Sequence, residues 1–258
     1  MILLFGGTSD SRDLAVRLTR RGLSVLVSSV TQEAADRVHE VGIRSTTGRL
    51  DTPQMCELIH KRNIRQIIDA SAPFADVVSR NAMSAAKLCK IPYCRYERPE
   101  VAQDASNVLR VANYADAAYA AARLGGRILL TTGVKTLPQF ADILLSSAKC
   151  ELFVRFIPRT SNMRLALDHG IKKQNILAMQ GPFSAKFETA LYDNYSIDIV
   201  VSKEGGTAGS LPSKLKAVET LGIQMVLIDR PAIEYVNRFE DMHGLIEHVI
   251  GENKGVLS

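Results

Sequence analysis

The run Gly6-Gly7-Thr8-Ser9 follows directly on the apolar residues Ile2–Phe5 and has the make-up of a loop that lets an anionic group approach the backbone. Small residues leave room for a phosphate, and the helix that follows offers N–H groups to it. Reading G-x-G-x-x-G from Gly6 puts Thr8 and Ser11 where the later glycines belong, so a tight strand-to-helix turn competes with the nucleotide reading. The loop's place at the head of the first strand–helix–strand unit favours the nucleotide. About 20 residues further on, an NAD site usually carries an acid for the ribose 2′-hydroxyl. Here the second strand ends in Ser28-Ser29-Val30-Thr31 without one. That leans towards a 2′-phosphorylated cofactor, although no arginine stands at the strand end, and both NADPH and NADH stay open.

A second set of residues is cationic. Arg95 and Arg98 flank Tyr96-Glu97, Arg155 and Arg159 flank Phe156-Ile157-Pro158, Lys203 precedes Glu204-Gly205-Gly206-Thr207, and Lys214 opens a helix. Arginine forks take carboxylates or phosphates in two-pronged geometry, so this set at strand ends suits a carboxylate-rich ligand. For any one of them, a solvated charge or a structural ion pair is an equal reading. Arg20, Arg21, Lys61 and Arg62 fall in last turns of helices, where offsetting the dipole suffices to explain them. The formal charge of +5, from 32 Lys+Arg against 27 Asp+Glu, is a mild excess. Basic residues neither cluster in one run nor alternate with aromatics, which argues against nucleic acid.

Spacing excludes several other chemistries. There is no G-x-x-x-x-G-K-[ST] loop, no H-E-x-x-H helix and no G-x-S-x-G elbow, and no Tyr is followed four positions later by Lys. The five histidines (His39, His60, His169, His243, His248) do not group with acids at metal-ligand spacing, so no metal site is expected.

The elements that must position these residues alternate along the chain. Strands are expected at Ile2–Phe5, Ser24–Ser28, Arg65–Ala70 and Tyr93–Tyr96, with helices over Ser11–Arg21, Thr31 to about Val41, Thr52–Arg62 and Ala75–Leu88. Val108–Val111 reads as a further strand, and the alanine-rich Tyr114–Leu124 as a helix ending at Gly125-Gly126. The alternation then restarts with strands at Arg127–Thr131, Glu151–Ile157, Asn175–Met179, Ile197–Ser202 and Gln224–Ile228, and helices at Ser184–Asp193 and Ser213–Leu221. The expected fold class is α/β: two Rossmann-like, doubly wound parallel-sheet domains, residues 1–115 and 116–258, with a ligand cleft between them. A length of 258 residues with 46% apolar side chains supports two such cores and excludes disorder as the dominant state. No run of about 18 apolar residues exists, and the MILLFGG start reads as a strand rather than a leader. Four cysteines (Cys56, Cys89, Cys94, Cys150) without a C-x-x-C pair fit a reduced, cytoplasmic setting.

Longer strings then add up. Ile2-Leu-Leu-Phe-Gly-Gly-Thr-Ser-Asp-Ser-Arg12, Gly48-Arg-Leu-Asp51, Asp69-Ala-Ser-Ala-Pro-Phe-Ala75 and Arg95-Tyr-Glu-Arg-Pro99 are followed by Leu129-Leu-Thr-Thr-Gly-Val-Lys-Thr136, Arg155-Phe-Ile-Pro158, Met179-Gln-Gly-Pro-Phe-Ser184 and Val201-Ser-Lys-Glu-Gly-Gly-Thr-Ala-Gly-Ser210. With Leu221-Gly-Ile223 and Asp229-Arg-Pro231, the chain resembles the precorrin-6A reductase family of cobalamin biosynthesis over nearly its whole length. The resemblance implies a nicotinamide-dependent reduction of one double bond, at C18–C19, of an anionic corrin-precursor macrocycle, either cobalt-containing or metal-free. The family pattern usually reads Asp-Ala-Thr-His-Pro-Phe-Ala where this chain has Ser71 and Ala72. A role for that histidine therefore does not carry over, and the proton must come from another group or from water.

On this reading Gly6, Gly7, Thr8, Ser9, Arg12, Ser28, Asp69, Ala70, Ser71 and Pro73 hold the nucleotide. The macrocycle is expected to meet Arg95, Arg98, Arg155, Gln180, Gly181, Lys203, Gly205, Gly206, Thr207 and Lys214. Lys203 and Tyr96 are the candidates for proton delivery. Two other readings share the residues: a nicotinamide oxidoreductase acting on another small acid, and a non-catalytic pyridine-nucleotide sensor. Oligomeric state is not legible in the chain.

Overall fold

Short apolar strands that bury both faces are what a helix-covered parallel sheet requires, and a computed structural model covering residues 1–101, 105–207 and 210–254 shows two such sheets. In chain order the elements begin β1 (Ile2–Phe5), α1 (Ser9–Arg20), β2 (Val25–Ser29), α2 (Gln32–His39), β3 (Arg44–Thr47), α3 (Thr52–Arg62), β4 (Gln66–Asp69), α4 (Asp76–Cys89) and β5 (Tyr93–Tyr96). They continue with β6 (Val108–Val111), α5 (Tyr114–Leu124), β7 (Gly126–Leu130), α6 (Leu137–Leu144), β8 (Cys150–Phe156), α7 (Thr160–Asp168), β9 (Ile176–Ala178) and α8 (Ala185–Asn194). The last are β10 (Ile199–Lys203), α9 (Leu211–Leu221), β11 (Gln224–Ile228), β12 (Arg238–Phe239) and α10 (Met242–Lys254). Among the described residues no helix is long and apolar enough to cross a membrane.

The first sheet has the order β12-β5-β4-β1-β2-β3 and the second β6-β11-β10-β7-β8-β9, with every pairing parallel. Both follow the doubly wound 3-2-1-4-5-6 pattern, whose switch point lies between its first and fourth strands. Those strands are β1 and β4 in one sheet and β7 and β10 in the other.

The sixth place in each sheet is filled out of turn. After β5 the chain leaves for β6, whose Val108–Val111 pair with Met225–Ile228 of β11. After β11 it returns through β12, where Arg238 and Phe239 pair with Arg95 and Tyr96 of β5. The compact units are accordingly residues 1–99 with 232–258, and residues 100–231. This differs from the expected division at 115/116, because strand pairing rather than sequence order decides where each edge segment packs.

Local signals explain the element starts. Thr8 caps α1 by accepting from Ser11 N at 3.3 Å while Ser11 Oγ accepts from Thr8 N at 3.0 Å. This capping box starts the helix at Ser9, two residues before the expected start. Asp51, not Thr52, caps α3, through a reciprocal pair with Gln54 at 2.9 Å each way. Strand alternation then sends Ile2, Leu4, Val25 and Val27 to the face covered by Leu14 and Leu18 of α1, Val38 of α2 and Leu245 of α10. Leu3, Phe5 and Ile67 pack on the other face against Met55 and Ile59 of α3 and Ala82, Ala85 and Ala86 of α4. In the second unit Leu129, Phe153, Val200 and Met225 face Leu191 of α8 and Leu215 and Val218 of α9. The polar edge strand β3 and the two-residue β12 carry no apolar run and do not announce themselves in the sequence.

Candidate functional site

Ligands of open α/β sheets bind beyond the carboxyl ends of the strands at the switch point. In the first unit that place holds a pocket of about 530 Å3. Its floor is Phe5–Thr8 after β1 and Ser28–Thr31 after β2. Gly48–Leu50 after β3 and a wall of Ser71, Ala72 and the stretch from Phe74 to Val78 at the head of α4 complete it. Gly6 is buried against the start of α1: a Cβ there would stand 2.6 Å from Ser11 Oγ and 3.1 Å from the Ala70 carbonyl oxygen, and closer still to Ser11 Cβ. Only glycine fits, and the backbone is thereby left bare towards the pocket. Ser29, whose buried Oγ has no hydrogen-bond partner among the described residues, also lines it. A bare glycine cradle, a helix N-terminus and an orphaned hydroxyl fit the phosphate and ribose portions of a dinucleotide.

Of the residues expected to hold the nucleotide, Gly6, Gly7, Thr8, Ser28 and Ser71 line this pocket, while Ser9, Arg12, Asp69, Ala70 and Pro73 do not. Asp69 is fully buried at the end of β4 and accepts from Ser71 N (3.0 Å), Tyr93 OH (3.0 Å) and Arg95 (2.9 Å). Its carboxylate is occupied by the fold and is not a ligand contact. Arg49 was not anticipated. The missing arginine after β2 has this counterpart one strand further out, exposed and lining the pocket. The Gly48-Arg-Leu-Asp51 string was its only trace in the sequence, since β3 itself has no apolar signature.

Two of the expected substrate arginines are spoken for in the first unit. Arg95 is fully buried, donates to Asp69 and to Glu97 at 2.9 Å each, and lies 5.0 Å over the Tyr235 ring. Burial works against its charge, but Asp69 and Glu97 more than offset it and hold the guanidinium above its ordinary pKa. Arg95 is thus a structural staple, not a substrate contact. Burial, reinforced by Asp69, pushes the Tyr93 phenol well up. Arg98 pairs with Asp10 at 2.7 Å, both largely covered. Asp10 sits in the first turn of α1, where its charge would oppose an anionic ligand, and Arg98 neutralises it. Tyr96 is half-buried in the small recess between these groups, and burial raises its phenol.

The second unit repeats the arrangement at its own switch point. A pocket of about 360 Å3 is lined by Thr131–Val134 after β7, Arg155–Ile157 at the end of β8, Met179, Gly181 and Phe183 after β9, Lys203 of β10, and Ser210 and Lys214 at the head of α9. Arg155, Gly181, Lys203 and Lys214 are therefore brought together, whereas Gln180 is exposed outside the lining and Gly205, Gly206 and Thr207 lie in the loop beyond β10. Arg155 forms a bidentate pair with the fully buried Glu188 (2.5 and 2.9 Å), and its guanidinium stacks 5.0 Å over Phe183. The Lys214 Nζ donates to Thr131 Oγ1 at 3.0 Å and Ser202 Oγ at 3.1 Å. Burial, with Arg155 adding to it, brings its ammonium down to about 7; burial lowers Lys203 as well.

Glu204 was not singled out from the sequence. It is fully buried, pairs with Arg230 and accepts from the backbone N–H groups of Val101 (3.0 Å) and Gly206 (3.1 Å). It anchors the Gly205–Thr207 loop from beneath.

Comparison with known proteins follows the same lines. The family model described as "Precorrin-6x reductase CbiJ/CobK" matches residues 1–249. A cobalt-precorrin-6A reductase of Priestia megaterium is 38% identical over 254 residues, covering 98% of this chain and 100% of that protein. A cobalt-precorrin-6A reductase of Salmonella typhimurium is 32% identical over 232 residues, covering 89% of this chain and 87% of its own length. A solved structure titled "CobK precorrin-6A reductase" superposes with a TM-score of 0.81 over 97% of this chain and 96% of its own, at 23% identity, which shows a shared fold.

Proposed function

The chain belongs to the precorrin-6x reductase family, and from that premise we propose that it reduces a double bond of cobalt-precorrin-6A with a nicotinamide nucleotide in cobalamin biosynthesis. The whole-length relationship to the Priestia megaterium cobalt-precorrin-6A reductase supports the choice of the cobalt-containing substrate. The observation that carries the nucleotide's placement is the pocket beyond β1, with Gly6 bare at its floor. When bound there, a reduced nicotinamide supplies the hydride.

The residues around it act by position and field. Gly6 and Gly7 let the pyrophosphate reach the backbone at the α1 N-terminus, and Arg98 removes the opposing charge of Asp10. Ser28, Ser29 and Arg49 face the ribose end, where no carboxylate lines the strand tips of β2 and β3 to repel a 2′-phosphate. Both NADPH and NADH fit this lining. In the second unit Lys203, Lys214 and the outer face of Arg155 present positive charge to the peripheral carboxylates of the macrocycle. The ring of Phe183 and the side chain of Met179 offer apolar surface beside them.

The test is an anaerobic assay of nucleotide oxidation with cobalt-precorrin-6A and metal-free precorrin-6A, each with NADH and NADPH. Turnover with the cobalt form is expected. Folded protein that turns over none of the four combinations refutes the reading and favours a nucleotide sensor, and turnover of the metal-free form alone refutes the substrate assignment.

A further inference from the structure

A cation buried without a carboxylate of its own is costly to the fold, and an anionic ligand that pairs with it removes that cost. We propose that Lys214, Thr131 and Ser202 form the seat for one peripheral carboxylate of the macrocycle, and that seating this carboxylate takes up one proton from solvent. The proposal rests on the reductase reading above and concerns the second unit alone. In the balanced step a neutral Lys214 amine gains a proton from water or buffer, and the resulting ammonium donates to the arriving carboxylate. No covalent bond of the ligand changes.

Geometry singles this place out. Lys214, at the head of α9, is only 6% exposed and lines the pocket at the second switch point. Its Nζ donates to Thr131 Oγ1 at 3.0 Å and Ser202 Oγ at 3.1 Å, and Thr131 in turn donates to the Val201 carbonyl at 2.9 Å, which fixes it as an acceptor. The third N–H of the ammonium has no acceptor among the described residues and is the donor a ligand oxygen can use. The charged groups facing Lys214 are Arg155 of β8, Glu188 of α8 and Lys203 of β10, with the Tyr192 phenol beside Glu188. Lys186 and Asp193 of α8 and Lys216 of α9 line a separate groove, and β11 brings no titratable side chain. Glu188 is fully buried and gripped on both oxygens by Arg155, so its charge is already matched. Burial, with Arg155 adding to it, brings the Lys214 ammonium down to about 7, so above neutrality a carboxylate that seats there draws a proton in with it. The rest of the lining selects the kind of anion. Val134, Met179 and Phe183 give the same pocket apolar surface, which suits a carboxylate on a short hydrocarbon stem better than a bare inorganic anion. Gly133 keeps the backbone beside it uncrowded, with nothing within 4 Å of where a Cβ would stand.

The experiment is anaerobic calorimetric titration of wild type, Lys214→Met and Lys214→Arg with cobalt-precorrin-6A in the absence of nucleotide, with circular dichroism as the check on folding. Pairs of buffers that differ in ionisation enthalpy, at pH 5.5 and at pH 8.5, report the protons exchanged. The wild type should take up about one proton at pH 8.5 and almost none at pH 5.5, and its affinity should weaken by up to about tenfold per pH unit above about 7. Lys214→Arg, whose guanidinium keeps its charge, should take up about one proton fewer at pH 8.5 and lack that decline. Lys214→Met should bind at least about tenfold more weakly at pH 5.5, where the wild-type ammonium is charged. Wild-type uptake at pH 8.5 below about 0.3 proton, or equal uptake in Lys214→Arg, overturns the proposal. So does Lys214→Met binding within threefold of the wild type at pH 5.5. Turnover of the same precursor by wild type that lacks these signatures removes the seat and leaves the reductase reading standing. A wild type that neither binds nor turns over the precursor refutes both. If neither variant folds, the wild-type uptake decides alone.

Discussion

Replacing Gly6 by alanine tests the nucleotide loop at the position where geometry is least forgiving. The new Cβ would stand 2.6 Å from Ser11 Oγ and 3.1 Å from the Ala70 carbonyl oxygen. Carbon contacts are comfortable from about 3.5 Å and Ser11 Cβ is closer still than Oγ, so Ser11 must retreat by more than roughly 0.9 Å. That retreat breaks the reciprocal pair with Thr8, in which Thr8 N donates to Ser11 Oγ at 3.0 Å and Ser11 Oγ donates to the Thr8 carbonyl at 2.8 Å. Loss of a cap costs about 1 kcal/mol and overpacking a tight site about 1–3 kcal/mol, so folding should weaken by about 2–4 kcal/mol. Shifting the first turn of α1 also moves its N–H groups away from the phosphate position, and nucleotide affinity should fall at least tenfold, or about 1.4 kcal/mol. The decisive control is Gly6→Ala combined with Ser11→Gly, which removes the clashing side chain. Its affinity should return to within about threefold of Ser11→Gly alone, because only the 3.1 Å contact to the Ala70 carbonyl then remains. Calorimetric titration with NADPH and NADH supplies the affinities and urea denaturation the stabilities. Affinity of Gly6→Ala within twofold of the wild type, or a double variant no tighter than the single one, would refute the placement.

Three further predictions follow from the same geometry. Asp69→Ala strips the fully buried Arg95 of one of its two carboxylates and should cost about 3–5 kcal/mol in urea denaturation; a loss under 1 kcal/mol would mean that Arg95 is not a staple. Arg49→Ala removes an exposed pocket cation, so nucleotide affinity should fall about 5- to 30-fold with the melting temperature unchanged, and equal affinity for both proteins contradicts its role. Burial brings Lys214 from 10.5 down to about 7, so between those values the unfolded chain binds the extra proton. Stability of the wild type relative to Lys214→Met should therefore rise with pH across that window, by up to about 1.4 kcal/mol per pH unit, and a flat difference would refute it.

Much of this protein was determined by the linear chain. The apolar runs at Ile2–Phe5 and Gln224–Ile228, the caps at Thr8 and Thr31 and the glycine stops are local signals, and local signals suffice to set strand and helix positions to within a residue or two. The family strings likewise belong to contiguous residues, so membership was legible before any coordinate. What the chain could not disclose is which distant groups meet. Arg95, Arg98 and Arg155 look alike as strand-end cations, yet Arg95 is enclosed by Asp69 and Glu97, Arg98 is neutralised by Asp10, and Arg155 is held by Glu188 at a pocket wall. A charge is a ligand contact or a staple according to its burial and its partner, and both are set by packing across tens of residues. The exchange of β6 and β12 is decided in the same way. Four- and two-residue strands carry too little pattern to state a partner, and only the open edges of β11 and β5 select them. Lys214 is the sharpest case. In the chain it is one lysine at the head of a helix, and the folded pocket, by removing water and setting the Arg155 charge nearby, is what turns that ordinary ammonium into a group that exchanges its proton near neutrality.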